Sequence, residues 1–240
     1  MIGRPALFFD LFFTLVSPSY KESDNEYDLL NISVEEWEAI AEDSESYIQR
    51  ATGVVNDEMQ IIDEIITKGN FKVNAYVKNE ILNRRIERMR SALVNVDATI
   101  LETLVKLKNV GQKLCVVSNC DVIDVKHWKE SPLSSVFDEI IFSCNVGYVK
   151  PNPKIYEIAL SQMTSIPQKS YFIGDGGSDE LQGAKKVGMT TVLTEYLAKS
   201  EPIKREELLR YADYHIDDFR HLNKIVTIGE CLNDYKTIFS

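Results

Sequence analysis

Residues 7–15 read Leu-Phe-Phe-Asp-Leu-Phe-Phe-Thr-Leu, and the interpretation of the whole chain begins with them. An apolar run rich in phenylalanine predicts a buried strand. Asp10 and Thr14 interrupt the run where the strand should give way to a loop. Burying an unpaired carboxylate costs several kcal/mol unless a metal, a cation or hydrogen bonds compensate it, and ligand chemistry in open α/β sheets gathers at the carboxyl ends of strands. Asp10 is therefore either a nucleophile or metal ligand, or a turn aspartate at a strand end.

Composition and charge limit the classes of function open to the chain. Its 240 residues, 44% of them hydrophobic, suffice for one sizeable domain or for a core with a smaller insert. A formal net charge of -10 argues against nucleic acid or an anionic membrane as a partner, because either would require a basic surface. The basic pairs Arg84-Arg85 and Lys185-Lys186 could contact anions, but we interpret them as solvated helix faces.

The sequence gives no signal for export or for membrane insertion. No stretch approaches the length of about 20 apolar residues that spans a bilayer, and no signal-peptide pattern is present. We therefore expect a cytoplasmic protein that is monomeric or homodimeric. The four cysteines show no C-x-x-C spacing, so they predict reduced thiols rather than a zinc site or a disulfide framework. They are Cys115, Cys120, Cys144 and Cys231.

Residues 18–92 show helical periodicity and no convincing strand. Ser33 and Glu36 form a capping-box signature ahead of Trp37, which predicts a helix whose apolar face includes this tryptophan. Further helices are predicted over residues 58–66 and 75–93. We call residues 18–92 the helical insert and predict that they form a separate cap domain.

From Asp97 onward, predicted strands and helices alternate, which is typical of a parallel sheet with helices on both faces. Strands are predicted at residues 113–118, 139–143, 170–174, 190–194 and 214–216. Helices are predicted at residues 97–107, 122–128, 153–163 and 180–187. The expected fold is α/β, with a Rossmann-like core of residues 1–17 and 93–240 and the helical insert hanging over the carboxyl edge of the sheet.

Polar groups follow four of the predicted strands or the loops beyond them. Asp10 and Asp175 would repel each other at the ends of neighbouring strands unless a cation lies between them, and a site of oxygen atoms suits Mg²⁺. The side chains of Ser118 and Asn119 and the ammonium of Lys150 would donate to an anion bound to that metal. This combination predicts phosphoryl transfer.

The same residues resemble the four motifs of the haloacid dehalogenase superfamily, in the right order and over nearly the whole chain. The helical insert after the first motif is similar to the small helical cap of that family. The motif-like stretches are residues 9–15, 117–119, 147–151 and 173–184.

The resemblance implies a catalytic role for Asp10 and a magnesium ion beside it. Asp10 would attack phosphorus to form an aspartyl-phosphate that water then hydrolyses. Mg²⁺ would be held by Asp10, the main-chain carbonyl of Phe12 and Asp175. Glu180 stands where the second acid of the fourth motif usually lies, in the outer shell of the metal, and Asp179 is the alternative.

The resemblance also implies how a small phosphorylated substrate would be held. Ser118 and Lys150 would contact the phosphate oxygens as catalytic residues, and Thr14 and Asn119 would contribute to binding. Tyr20 would either line the substrate pocket or pack between the helical insert and the core.

Two residues depart from the family pattern. Phe12 replaces the aspartate that normally protonates the leaving group, and such acid-base help contributes on the order of 10² to 10⁴ in rate. Phe13 replaces a small glycine. We therefore keep two alternatives to a Mg²⁺-dependent phosphatase. One is a metal-independent 2-haloacid dehalogenase acting on a halogenated acid, and the other is a binding or regulatory protein with little turnover.

Overall fold

Six parallel strands form one sheet in this structure, a computed structural model that describes residues 6–227. The sheet order is β3-β2-β1-β4-β5-β6, which is the doubly wound order of Rossmann-like folds. The predicted α/β fold is therefore confirmed. The strands are β1 (Ala6–Phe9), β2 (Lys113–Ser118), β3 (Glu139–Phe142), β4 (Ser170–Gly174), β5 (Thr190–Thr194) and β6 (Tyr214–Ile216).

The central strand β1 is buried on both faces. Its alternating side chains enter two different apolar clusters, Leu7 and Phe9 on one side and Phe8 on the other. Helices cover both faces, so a continuous apolar run is what the position of β1 requires. The order reverses at β1, because the chain continues to β2 on one side and later returns to β4 on the other. Ligand sites lie at the carboxyl ends of strands beside such a reversal.

Nine α-helices lie wholly within residues 6–227, and a further helical stretch begins at residue 222. The first four begin in the helical insert, and the fourth extends beyond it. The other five belong to the alternating part of the chain. The nine are α1 (Val34–Ala41), α2 (Ser44–Ala51), α3 (Glu58–Lys68), α4 (Ala75–Val94), α5 (Ala98–Asn109), α6 (Ser143–Val146), α7 (Pro153–Gln162), α8 (Glu180–Lys186) and α9 (Pro202–Leu209).

The helical insert contains no strand, as predicted, and forms most of a separate apolar cluster, which Val122 and Ile123 of the loop after β2 complete. Trp37 of α1 is 1% exposed within this cluster, which also takes in Ile62 of α3 and Ile81 of α4. Helix α4 continues past the predicted boundary at residues 92 and 93. Its last turn, with Leu93, packs in the same cluster as β1, so one helix connects the insert to the core.

The predicted helix at residues 122–128 is not formed. The segment is a series of turns that leads into a short 3₁₀ helix, Trp128–Glu130. The Asp121 carboxylate accepts hydrogen bonds from the backbone amides of Ile123 (2.8 Å) and Asp124 (3.1 Å). Such side-chain to backbone bonds compete with helix formation. Helices α2, α6 and α9 were not predicted.

The described part of the chain has no helix that is both long and apolar enough to cross a membrane.

Replacing Ser33 by alanine should destabilise α1. The Ser33 hydroxyl accepts from the Glu36 amide (3.2 Å), and the Glu36 carboxylate accepts from the Ser33 amide (2.9 Å). We expect Ser33→Ala to lower the free energy of unfolding by about 1 kcal/mol in chemical denaturation. Ser33→Thr should retain most of that stability, and Ser23→Ala, at an exposed serine outside any helix, is the control. Equal stability of Ser33→Ala and Ser23→Ala would contradict the assignment.

Candidate active site

Two aspartates meet at the carboxyl ends of β1 and β4. The two strands pair in parallel with Phe9 opposite Ile173, and the Asp10 amide donates to the Ile173 carbonyl (2.9 Å). Asp175 follows Gly174, the last residue of β4. The register therefore brings both carboxylates to the same point of the sheet edge, where the Asp10 side chain is almost fully buried.

Glu180 joins these two aspartates from the first turn of α8. Carboxylate oxygens of Asp10, Asp175 and Glu180 all lie within 4.8 Å of one another. Gly174 makes this approach possible, because a Cβ atom at that position would lie 1.9 Å from Glu180 Oε1. Asp179, the alternative considered for the second acid, is exposed.

The buried ammonium of Lys150 lies among these carboxylates. Its Nζ donates to Asp10 Oδ1 and, at 2.6 Å, to Glu180 Oε2. Burial by itself would lower the pKa of Lys150, but the charges of Asp10 and Glu180 raise it well above its ordinary value. Lys150 is therefore permanently charged.

The Asn119 side chain holds the Lys150 backbone in place. Asn119 Oδ1 accepts from the Lys150 amide (2.7 Å), and Asn119 Nδ2 donates to the Lys150 carbonyl (3.0 Å). Asn119 directly follows Ser118, the last residue of β2. A third strand end thus fixes the position of the lysine.

The site has more negative than positive charge. Burial and the neighbouring Asp10 raise the pKa of Asp175, and the same two causes raise the pKa of Glu180 well above its usual range. Both oxygens of Glu180 are engaged, by Lys150 and by the Gly176 amide (3.1 Å). Asp10 Oδ2 and Asp175 Oδ2 make no hydrogen bond to the described residues. An additional cation between them would relieve the repulsion, so the cluster could hold a metal ion.

A cavity of about 310 Å³ opens above Asp10. Its wall includes several predicted site residues, namely Asp10, Phe12, Tyr20, Asn119, Lys150, Asp175 and Glu180. The other two predicted side chains, Ser118 and Thr14, are fully buried and do not line the cavity. The Ser118 hydroxyl donates to the Asn119 carbonyl (3.3 Å), and Thr14 Oγ1 has no hydrogen-bond partner among residues 6–227.

The two aromatic residues that depart from the family pattern both face this cavity. Phe12 is half-buried in its wall, and Phe13 is 45% exposed at the same cavity. Phe13 has a φ of 61°, in the left-handed region that an aromatic residue rarely adopts. The turn after Asp10 therefore keeps a conformation suited to glycine, although a large ring occupies it.

The helical insert contributes cavity residues that the sequence did not reveal. Arg85 and Arg88 of α4 and Tyr47 of α2 line the cavity opposite the sheet. Interpreting Arg85 as part of a solvated helix face was wrong, because this residue is 4% exposed. Its Nη2 donates to Asp121 (2.7 Å) and Asp124 (2.9 Å) in the loop after β2.

A second arginine strengthens this connection between insert and core. Arg50 of α2 is also buried, and its Nε donates to Asp121 (3.0 Å). The signal that could have suggested these pairs is the acidic spacing of Asp121 and Asp124 directly after a strand-end motif. The Lys185 side chain, in contrast, is 42% exposed, as interpreted from the sequence.

Sheet order and strand-end carboxylates together define a Rossmann-like α/β protein with a candidate enzyme site at the reversal of its strand order. It belongs to the haloacid dehalogenase-like hydrolase family, whose model matches residues 14–194.

The names of the relatives with similar sequences indicate different activities. A glyceraldehyde 3-phosphate phosphatase from Methanothermobacter thermautotrophicus is 33% identical over 108 residues, which are 44% of this chain and 47% of that protein. Bifunctional epoxide hydrolase 2 from Rattus norvegicus is 30% identical over 138 residues, 55% of this chain and 25% of that protein. The chain thus matches about half or less of the length of these relatives.

Solved structures show the same fold over most of the chain. An L-2-haloacid dehalogenase has a TM-score of 0.69 at 17% identity, covering 93% of this chain and 99% of that one. A family enzyme from Bacteroides thetaiotaomicron, in complex with magnesium and inorganic phosphate, has a TM-score of 0.62 at 19% identity and covers 85% and 99% of the two chains. At these identities the likeness concerns the fold alone.

Replacing Lys150 by methionine should strongly destabilise the protein. The change leaves Asp10 and Glu180 buried without their cation, and breaking a buried ion pair from one side costs about 3–5 kcal/mol. We expect a loss of this size in the free energy of unfolding, measured by denaturant titration. Adding Glu180→Gln to Lys150→Met should recover part of it.

The matched control is Lys154→Met, because Lys154 pairs with Glu157 on an exposed helix face (3.2 Å). This variant should unfold like the wild-type protein. If Lys150→Met were no less stable than Lys154→Met, the role given to Lys150 would be wrong.

Proposed function

We propose that the chain is a Mg²⁺-dependent phosphatase of a small phosphorylated metabolite, with Asp10 as the nucleophile. The observation that carries the proposal is the convergence of Asp10 and Asp175 beside the buried ammonium of Lys150, where each aspartate has an oxygen that accepts no hydrogen bond from residues 6–227. A strand-end carboxylate without a counter-charge on that oxygen is suited to bind a metal or to attack phosphorus.

The donor set fits Mg²⁺. Carboxylates of Asp10 and Asp175 and the main-chain carbonyl of Phe12 would hold the ion, while Glu180, whose oxygens are engaged by Lys150 and the Gly176 amide, would support it from the outer shell. When bound, the ion would neutralise phosphate charge.

The chemical steps use the residues of the chain itself. A carboxylate oxygen of Asp10 attacks phosphorus, the bond from phosphorus to the leaving oxygen breaks, and a water molecule then hydrolyses the aspartyl-phosphate. Lys150 donates to the Asp10 carboxylate and would contact a phosphate oxygen in the same place. Asn119 keeps the lysine in position. We propose Tyr20, on the cavity wall, as a further substrate-binding residue, whereas the buried hydroxyls of Ser118 and Thr14 would have to become accessible before they could contact the substrate as predicted.

The helical insert would serve as a cap over the active site. Residues 18–92 would act as a cap domain over a core formed by residues 1–17 and 93–240, because the insert forms most of a separate apolar cluster and supplies one wall of the cavity. The relative named glyceraldehyde 3-phosphate phosphatase and the family structure with magnesium and phosphate support a phosphorylated small-molecule substrate. We expect a cytoplasmic monomer or homodimer that does not bind nucleic acid or membranes.

A second candidate function is 2-haloacid dehalogenation, in which Asp10 attacks carbon. Phe12 favours it, because its ring lies in the cavity wall where a phosphatase would carry its general acid. The pairing of Asp10 with Asp175 favours the phosphatase, because two adjacent carboxylates of like charge suit a bound cation.

The proposed function is tested with p-nitrophenyl phosphate, whose leaving group departs without protonation. We expect hydrolysis with Mg²⁺, loss of hydrolysis in EDTA, and a decrease of at least about 10³-fold in Asp10→Asn. Asp175→Asn should need far more Mg²⁺, whereas Asp179→Asn, an isosteric change at an exposed neighbour, should behave as wild type.

The same experiment separates the alternatives. Hydrolysis that is insensitive to EDTA and to Asp175→Asn would contradict the metal site. Chloride release from a 2-chloro acid in EDTA, without phosphatase activity, would support the dehalogenase. Absence of both reactions would favour a binding protein with little turnover.

Replacing Phe12 by aspartate should extend the reaction to alkyl phosphates. The new carboxylic acid would protonate a poor leaving group, which should raise kcat/KM for an alkyl phosphate by about 10²-fold and change that for p-nitrophenyl phosphate much less. The measurement compares both substrates in wild type, Phe12→Asp and Phe12→Asn. An equal gain in Phe12→Asn would show that lost bulk, rather than the acid, causes the effect.

A further inference from the structure

Two cysteines lie side by side at the carboxyl edge of the sheet. Strands β2 and β3 pair in parallel, and their last registered residues are Ser118 and Phe142. Cys120 and Cys144 each follow two residues later. Neighbouring strands are about 4.8 Å apart, and disulfides join Cα atoms about 4.4–6.8 Å apart. The register therefore brings the two segments that carry these cysteines side by side at the same edge of the sheet.

Hydrogen bonds hold the two segments together beyond the strand ends. The Ser143 hydroxyl accepts from the Cys120 amide (3.0 Å) and is 3.2 Å from the Cys120 carbonyl, to which it can donate. The two thiols also lie close enough to influence the pKa of each other. Cys120 is fully buried, whereas Cys144 is half-buried at the junction with the helical insert.

We propose that Cys120 and Cys144 form a reversible disulfide when the protein meets a peroxide, and that this bond inactivates the site beside it. Of the other two cysteines, Cys115 lies in the described part of the chain and does not share this arrangement. Cys115 is fully buried within β2, and Cys231 lies outside the described residues.

The reaction balances with hydrogen peroxide as the oxidant. The Cys144 thiolate attacks one peroxide oxygen, the O–O bond breaks, and a sulfenic acid and hydroxide form. The Cys120 sulfur then loses its proton, attacks the Cys144 sulfur and displaces the hydroxyl group as water. Two thiols supply the two electrons, and the peroxide becomes two water molecules.

The environments of the two thiols support this order of events. The neighbouring Cys120 thiol lowers the pKa of Cys144, and burial raises the pKa of Cys120 well above its usual range. The thiolate is the reactive form, and reaction with a peroxide also requires access. Cys144 is therefore the residue that meets the oxidant, and Cys120 is the one that resolves the sulfenic acid.

The bond would disturb the site through the neighbours of Cys120. A disulfide brings the sulfurs to about 2.05 Å, closer than two thiols in contact, so its formation draws the two segments toward each other. Asn119, directly before Cys120, holds the Lys150 backbone. Asp121, directly after it, accepts from the buried arginines of the helical insert.

The backbone at Cys144 has little room to move. A Cβ atom added at Gly53 of the helical insert would lie 2.1 Å from the Cys144 carbonyl oxygen. The backbone segments at Gly53 and Cys144 are therefore in direct contact. The shift required by the bond must therefore be taken up by the segment that contains Asn119 and Asp121. Misplacement of a catalytic group by about 1 Å can cost about 10²-fold in rate.

The test exposes the complete, reduced protein to hydrogen peroxide and maps its disulfides by mass spectrometry of peptides. We expect a bond between Cys120 and Cys144, a loss of p-nitrophenyl phosphatase activity of about 10- to 100-fold, and recovery of both with dithiothreitol. Cys144→Ser should keep its activity under the same exposure. Cys231→Ser, which leaves the pair intact, should respond like wild type.

Each part of the result bears on the proposal separately from the phosphatase reaction. Peptide mapping decides whether the bond forms even if the protein hydrolyses no phosphate. In that case the effect on the site is measured as the change that peroxide causes in the thermal stabilisation by Mg²⁺. A sulfinic acid at Cys144 without the bond, or equal inactivation of Cys144→Ser, would overturn the proposal. A bond that forms without any change in activity or metal response would overturn its regulatory part.

Discussion

The buried contacts of Lys150 with Asp10 and Glu180 are the interaction on which the site depends. Removing a charge from water costs several kcal/mol, and only close pairing offsets it. One ammonium lies among three carboxylates. The sheet register and Gly174 position the carboxylates, and the side-chain amide of Asn119 positions the lysine. The remaining negative charge at Asp10 and Asp175 makes this edge of the sheet a place for a cation and an anionic substrate together.

Much of the fold was readable from local sequence. Strands β2 and β4 have the predicted bounds, because uninterrupted apolar runs between polar residues leave little choice for a sheet covered on both faces. The absent helix at residues 122–128 shows the limit of this approach. Its apolar spacing favoured a helix, but Asp121 uses its carboxylate for two backbone amides and two arginines. Helix α2 was missed because its buried residues are Arg50 and Ala51. A buried arginine does not contribute to an apolar pattern in the sequence.

The candidate site was predictable where strand ends determine it. Asp10, Asp175 and Lys150 converge because parallel strands end at one edge, which a sequence can indicate. The opposite wall could not be predicted, since Arg85 meets partners 36 and 39 residues away and nothing near it in sequence shows that it is buried. Side-chain direction was equally hidden. Ser118 follows its motif, yet its hydroxyl is fully buried behind the cavity wall.

Helix α4 is long enough that a small tilt at one end would produce a larger displacement at the other. Its 20 residues span about 30 Å, with the last turn fixed against the core and the earlier turns inside the insert. A tilt of about 5° at the fixed end would move its first turn by about 2.6 Å. Arg85 and Arg88 lie between the two ends of this helix and line the cavity, so the same tilt would move them by about 1 Å and change the width of the pocket. The shape of the substrate that fits is thus set partly by how rigidly one helix end is packed.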